Sequence, residues 1–232
     1  MLTPVLTIDG PTASGKGTLS RQLAKTLNFH YLDSGALYRV LALHLDRQGL
    51  NPMSDVNDRD LEQFARELPV VFDDDRILLQ GDDASELIRQ ERIGSLASEF
   101  ATKPAIRHGL LQRQWAFRRA PGLIADGRDM GTVVFPDAPL KVFLVADVEE
   151  RARRRTKQLI EKGISVNFHD LLTDLKARDA RDQSRAVAPL TPAAGARILD
   201  GSSLSINESV QQVLHWWTSI PGISSSSSVQ SG

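Results

Sequence analysis

A short apolar run, Val5-Leu6-Thr7-Ile8, breaks into Asp9-Gly10-Pro11-Thr12-Ala13-Ser14-Gly15-Lys16-Gly17-Thr18, and Leu19, Leu23 and Leu27 then recur at i, i+4 and i+8. Gly, four residues, Gly and Lys between a buried strand and a helix is the pattern of a phosphate-binding loop, whose successive backbone N–H groups surround an anion. The glycines let the chain wrap tightly, the helix contributes its positive end, and Lys16 is placed to reach the β and γ phosphates of a nucleotide. Gly17 stands where a hydroxyl usually meets magnesium, and the hydroxyl comes one residue later, at Thr18. A Gly-rich turn can also be plain punctuation, but the apolar strand before it and the helical run after it argue for the loop.

The chain has 232 residues, 41% hydrophobic and 25% charged, enough to bury the core of one main domain with a small insertion. It has no cysteine, which excludes disulfides, thiolate metal sites and a cysteine nucleophile. The N-terminus has no basic segment leading into an apolar stretch, and no 18 apolar residues run together, so the expectation is a cytoplasmic protein without membrane association. With 28 Lys and Arg against 29 Asp and Glu the formal charge is −1, which speaks against a nucleic-acid partner and leaves anion binding to local arginine clusters.

Asn28 to Leu32 reads as a second strand, running into Asp33-Ser34-Gly35 and a helix whose first turns carry Tyr38 and Arg39. Asp33 or Ser34 can serve there only as a helix cap, with Tyr38 packing and Arg39 solvated. The helix ends near Gly49, and another runs through Leu61, Phe64 and Leu68. Val70 to Gln80 then reads as a β-hairpin, with Asp73 to Asp75 and Gly81-Asp82-Asp83 as polar turns at the surface; it interrupts the strand–helix alternation and marks an insertion. Two helices flank Pro104, and Arg107 lies in the first turn of the second, where the helix dipole disfavours a cation and a ligand could be its partner.

Gly122 to Asp126 reads as a buried parallel strand ending in Gly127-Arg128-Asp129-Met130-Gly131. An arginine and a carboxylate between glycines at a strand end suggest a site, although Arg128 and Asp129 could pair with each other. Leu140 to Ala146 is a further strand; on the helix after it Arg151, Arg154 and Arg155 share a face without interleaved carboxylates, which a polyanion could satisfy. A later helix from about Phe168 places Arg178, Asp182 and Arg185 in one row, either a salt-bridge ladder or a reader of a nucleotide. Arg197 to Asp200 is a last strand and Ile206 to Trp217 a closing helix in which His215, Trp216 and Trp217 pack; the Ser-rich run from Ser224 is expected to be disordered.

A phosphate loop, about five strands alternating with helices, and arginines at strand ends describe a P-loop α/β phosphotransferase built on a five-stranded parallel sheet flanked by helices. No acid–base dyad stands out, and none is needed if the acceptor is a phosphate monoester, whose second pKa of about 6 leaves it ionised at neutral pH. Lysine, several arginines and a magnesium ion are what a reaction between two such anions requires.

The loop Gly10 to Thr18, with Gly then Thr after the lysine, resembles that of the nucleoside monophosphate kinases. The segments Leu32 to Arg39, Asp126 to Pro136, and Asn167 through Arg178-Asp179 to Leu190 are similar to the bacterial cytidylate kinase family, over about Val5 to Trp217. The resemblance implies ATP and Mg2+ as donor and cofactor, CMP and dCMP as acceptors, CDP or dCDP with ADP as products, and a monomer. It implies ATP binding by Gly10, Pro11, Thr12, Ala13, Ser14, Gly15, Lys16, Gly17 and Thr18, with Arg151, Arg154 and Arg155 as further phosphate partners. Arg39 and Arg128 match residues that hold the acceptor phosphate, Arg178 and Asp182 those that meet the ribose, and Ser98, Arg107 and Arg185 the cytosine contacts. Ser34, Tyr38 and Asp129 complete the CMP-binding set, and Lys16, Arg128 and Arg185 are the catalytic candidates.

The same resemblance makes residues 1–220 one kinase domain, with a monophosphate-binding insertion at about 60–105 and a helical lid at about 150–188, followed by a tail over 221–232. The competing readings are another small-molecule kinase, for UMP, AMP or shikimate, and a nucleotide-dependent switch that transfers nothing. A switch has no need for a second phosphate site.

Overall fold

The computed structural model describes residues 3–73, 76–161 and 163–222. The chain divides into two compact units. One takes the chain up to Leu32, Phe117–Gln183 and the chain from Ala188 onward; the other is Asp33–Ala116 with Ser184–Val187.

The first unit carries the five-stranded sheet. Strands β1 (Val5–Asp9), β2 (His30–Asp33), β6 (Leu123–Gly127), β7 (Leu140–Val145) and β8 (Arg197–Asp200) lie in the order β2-β6-β1-β7-β8. β1 pairs parallel with β6 from Val5↔Leu123 to Asp9↔Gly127, and on its other side with β7 from Leu6↔Leu140 to Asp9↔Phe143. Every residue of β1 and β6 is buried, as expected of central parallel strands covered on both faces. The phosphate loop therefore leaves the C-terminal end of the middle strand, between neighbours contributed by later parts of the chain, which is where open α/β sheets collect ligands.

Helix α1 (Lys16–Leu27) follows the loop and buries Leu19 and Leu23 against Leu6, Ile8, Ile124 and Leu144. It ends where Asn28 turns left-handed at φ 53 and the Phe29 N–H closes on Ala24 O at 2.9 Å. The last helix, α8 (Ile206–Thr218), opens with a capping box between Ser205 and Glu208. It buries Val213 and Trp217, the latter edge-on to Phe29 at 5.6 Å; His215, expected to pack, is exposed. Burying each such large side chain contributes on the order of 1.5–3 kcal/mol. Helices α6 (Val148–Glu161) and α7 (Phe168–Ser184) share a small core of Ala152, Leu159, Leu171 and Leu175.

The second unit holds α2 (Ser34–Arg47), α3 (Asp58–Arg66), α4 (Glu91–Phe100), α5 (Pro104–Trp115) and an antiparallel sheet β3 (Val70–Asp73), β4 (Arg76–Leu79) and β5 (Asp82–Asp83). Its core joins Leu37, Leu41 and Leu45 of α2 to Leu61, Leu79, Ile93, Phe100, Ile106 and Leu110. The unit starts at Asp33 and ends at Ala116, wider than the inserted segment of about 60–105 read from the sequence, because α2 is apolar where it faces this core. Pro104 occupies the first turn of α5, where its missing N–H costs nothing. Asp82 and Asp83, read as turn residues, pair with Leu79 and Leu78 as a third short strand. Asp74 and Asp75 of the acidic turn, and the Ser-rich tail from Ser224, lie outside the described residues. Among the described residues no helix is long and apolar enough to cross a membrane.

Candidate active site

The loop between β1 and α1 is shaped by two glycines and one alanine. A Cβ on Gly10 would stand 2.4 Å from Leu144 O of β7, so only glycine lets the chain pass there. Gly15 sits at φ 93 just before α1, and Ala13 is also left-handed, at φ 59. Alternation of this kind turns neighbouring N–H groups into one concavity, the nest that suits a phosphate. Lys16 Nζ reaches back across the loop to Pro11 O at 3.0 Å. Among the described residues Ser14 Oγ is buried without a hydrogen-bond partner, and Ser14 lines a cavity of about 350 Å³ with Gly15, Thr18, Arg154, Gly201 and Leu204. An unsatisfied buried hydroxyl beside such a cavity is what a bound oxyanion would complete.

At the end of β6 the sequence candidates converge. Arg128 Nε donates to Asp182 Oδ2 at 2.8 Å and its Nη2 to Thr12 Oγ1 at 2.6 Å. The carboxylate partner of Arg128 is thus on α7, 54 residues away, rather than the adjacent Asp129. Burial alone would lower the Arg128 pKa, but Asp182, with Asp126 and Asp179 nearby, holds it above the usual arginine value. Asp126, the preceding carboxylate, accepts from Tyr31 Oη at 3.1 Å and lies 3.3 Å from where a Cβ on Gly17 would be.

Asp9, at the end of β1, received no role from the sequence. Its Oδ1 and Oδ2 accept the backbone N–H groups of Met130 and Gly131, both at 2.8 Å. Burial pushes the Asp9 carboxyl up to about 7; the two N–H bonds oppose the rise, and Asp129 and Asp126 add to it.

The arginines of α6 separate by partner. Arg151 is buried and fully engaged: Nη2 meets Asp179 Oδ2 at 2.5 Å, Nη1 donates to Thr12 O at 2.9 Å, and Nε to Ala146 O at 3.0 Å. Arg154 pairs with Glu150 at 3.0 Å and donates to Gly201 O at 2.9 Å, on the wall of the loop cavity. Carboxylates do accompany this row, contributed by Glu150 one turn earlier and by Asp179 on the next helix. Arg155 lies half-buried on α6; on α7, Arg178 and Asp182 are both buried.

The second unit holds the other acceptor-side candidates. Asp33 caps α2 by accepting from Ala36 N at 2.9 Å, and Ser34 Oγ donates to Gln114 Oε1 at 3.0 Å. Arg39 Nη1 donates to Ile88 O at 2.9 Å, and its guanidinium lies over Gly94, about 3.0 Å from where a Cβ would stand. Arg107 packs over the ring of Tyr38 at 5.7 Å and donates to Ala101 O at 3.3 Å, which gives this first-turn arginine a partner in the fold itself. Ser98 is half-buried on α4, and Arg185, just past α7, is buried.

A family model described as cytidylate kinase matches residues 6–219 of this chain. The chain belongs to the cytidylate kinase family. It is 59% identical to the cytidylate kinase of Bordetella bronchiseptica over 214 residues, 92% of this chain and 95% of that one. The cytidylate kinase of Cupriavidus necator is 55% identical over 93% of this chain and 96% of its own, and that of Ralstonia pickettii 54% identical over 94% of each.

Within this cytidylate kinase fold, the first unit brings together the phosphate loop, Arg128 and Asp182. Asp9, Asp126, Asp179 and Gly94 went unremarked as site residues in the sequence. Asp9 had one usable signal: it is the one charged residue of a buried strand, and such a group must have partners. Asp179 had none, since its pairing with Arg151 spans 28 residues and two helices.

Proposed function

We propose that this chain transfers the γ-phosphoryl group of ATP to CMP, and to dCMP, giving CDP or dCDP and ADP. The observation that carries this reading is the joint presence, in one unit, of a phosphate loop with its adjoining cavity and of an arginine–aspartate pair, Arg128–Asp182, at the end of the neighbouring strand. The loop holds one anion; the pair provides for a second. The names of the cytidylate kinase relatives support CMP as that second substrate.

In this reading the loop amides and Ser14 cradle the ATP phosphates, and Lys16 exchanges Pro11 O for a phosphate oxygen. Arg154 and Arg155 face the donor. Arg151 holds the loop through Thr12 O instead of touching the nucleotide. Arg39 and Arg128 bind the acceptor phosphate, Arg178 and Asp182 the ribose, and Ser98, Arg107 and Arg185 the base, with Ser34, Tyr38 and Asp129 supporting them. Because a phosphate monoester is already ionised at neutral pH, the side chains contribute orientation and charge compensation rather than a general base.

Magnesium, when bound with ATP, supplies positive charge to the β and γ oxygens. The Thr18 hydroxyl and the Asp126 carboxylate, beside Gly17, are the hard oxygen donors that would hold it, directly or through water. Among the described residues no group of three His, Cys, Asp or Glu is placed to hold a metal ion. We assign the unit from Asp33 to Ala116 to monophosphate binding and helices α6 and α7 to the lid, in a cytoplasmic monomer.

Steady-state rates with CMP, dCMP, UMP and AMP at fixed ATP and magnesium test the assignment. CMP and dCMP should give the highest kcat/KM, since a site built for cytosine leaves buried polar groups unpaired with other bases. A clear preference for UMP or AMP overturns it.

A further inference from the structure

β1 ends in a buried carboxylate that the reaction described above does not use. Asp9 is 3% exposed, and each of its oxygens takes one backbone N–H, Met130 N on Oδ1 and Gly131 N on Oδ2, at 2.8 Å. Those two amides open the π-helical turn Met130–Val134, directly after Arg128 and Asp129. The turn is pressed close to the strand: a Cβ on Gly131 would lie 2.9 Å from Thr7 Oγ1, and the Met130 side chain is fully buried.

The same two stretches of chain are joined a second time. Arg128 Nη2 donates to Thr12 Oγ1, three residues after Asp9 in the phosphate loop. Residues 9–12 and 128–131 are therefore tied at both ends, by Asp9 to the backbone of the turn and by Arg128 to the loop. Burying an acid group is a costly way to hold a turn where an apolar side chain would be easier to fold. Paired backbone N–H groups on one carboxylate are short and directional, so they define the position of the turn more tightly than apolar packing does.

We propose that Asp9 is a positioning residue for phosphoryl transfer: its carboxylate sets the position of the Arg128 segment against the phosphate loop, so that donor loop and acceptor-phosphate arginine form one rigid piece. This rests on Arg128 being the acceptor-phosphate residue. Asp9 touches neither substrate; it acts through the turn.

The test is Asp9→Asn, which keeps the shape but sets an NH2 group against one of the two backbone N–H donors. The expected result is a fall of about 10- to 100-fold in kcat with CMP, with KM for ATP changed by less than about threefold, since loop amides and Lys16 remain. In the nucleotide-free protein the amide proton shifts of Met130 and Gly131 should move and their hydrogen exchange should speed up, while the other loop amides stay put. A kcat within twofold of the parent despite moved amide shifts overturns the proposal. So does an equal loss of kcat, ATP affinity and thermal stability, which marks Asp9 as a mere structural clamp. If Asp9→Asn does not fold, Gly131→Ala, which drives the turn away from Thr7, must give the same split between kcat and KM; normal kinetics there also overturn it. Arg128→Ala is run in parallel: if it leaves CMP kinetics unchanged, the reading of Arg128 fails, whereas the Met130 and Gly131 amides report on Asp9 independently of any activity.

Discussion

Arg128 Nε stands 2.8 Å from Asp182 Oδ2, joining the end of β6 to the last turn of α7. The pair links a residue assigned to the acceptor phosphate with one assigned to the ribose, so each holds the other in place for binding. Asp182 is buried, and removing the arginine takes away the ion partner that its carboxylate meets at 2.8 Å.

Arg128→Ala is therefore expected to lower stability by about 2–4 kcal/mol and to cut kcat/KM for CMP by orders of magnitude, while ATP binding stays nearly intact. The double variant R128A/D182A should be less destabilised than the sum of the two single ones, because both single changes remove the same ion pair. Urea unfolding and steady-state kinetics read both effects. Equal loss of ATP binding would move Arg128 to the donor side.

Arg151 offers a contrast. It is buried between Asp179, Thr12 O and Ala146 O, so Arg151→Met should destabilise the protein by about 3 kcal/mol with or without nucleotide. Arg154, half-buried beside the loop cavity, should behave the other way on substitution by alanine, raising KM for ATP several-fold with a stability change below about 1 kcal/mol. Thermal unfolding and ATP titration of the two variants separate the roles; a large loss of stability from Arg154→Ala would contradict the division.

Asp9 gives the protein a pH dependence of definite sign. Its carboxyl is raised from 3.8 to about 7 in the fold, so between those values the folded state binds the proton that the unfolded state releases. Its contribution to stability is complete below pH 3.8 and is lost as pH rises through about 7. From pH 6 to pH 8 the loss is on the order of 1 kcal/mol, and it should vanish in Asp9→Asn. Urea unfolding across that range, on parent and variant, reads it; parallel pH profiles for the two proteins would contradict it.

Ala13 adopts φ 59 inside the phosphate loop, a conformation that disfavours a side chain by about 1–2 kcal/mol, partly offset in glycine by greater unfolded-state entropy. Ala13→Gly is thus expected to raise stability by about 0.5–1 kcal/mol in urea unfolding, and Ala13→Val to lower it. A destabilised glycine variant would show that the Ala13 methyl, half-buried beside the small core of α6 and α7, contributes more than the backbone conformation costs.

Sequence alone determined what depends on near neighbours. The phosphate loop was legible because its glycines, Lys16 and following helix are contiguous, and the backbone geometry that binds phosphate is made within nine residues. β1, β6 and β7 were legible as largely apolar runs, the two helices about Pro104 from their spacing, and the hairpin from two apolar runs set off by polar turns. Tertiary structure decided the rest, because charged side chains choose partners by distance in space. Asp182 was selected by Arg128 across 54 residues and Asp179 by Arg151 across 28, and the carboxylate of Asp9 closes on amides 121 and 122 residues later. Those pairings exist only because the parallel sheet places the ends of β1 and β6 side by side, with Asp9 opposite Gly127. No local pattern encodes that adjacency; burial enforces it, since each charge the fold encloses must meet a complementary group.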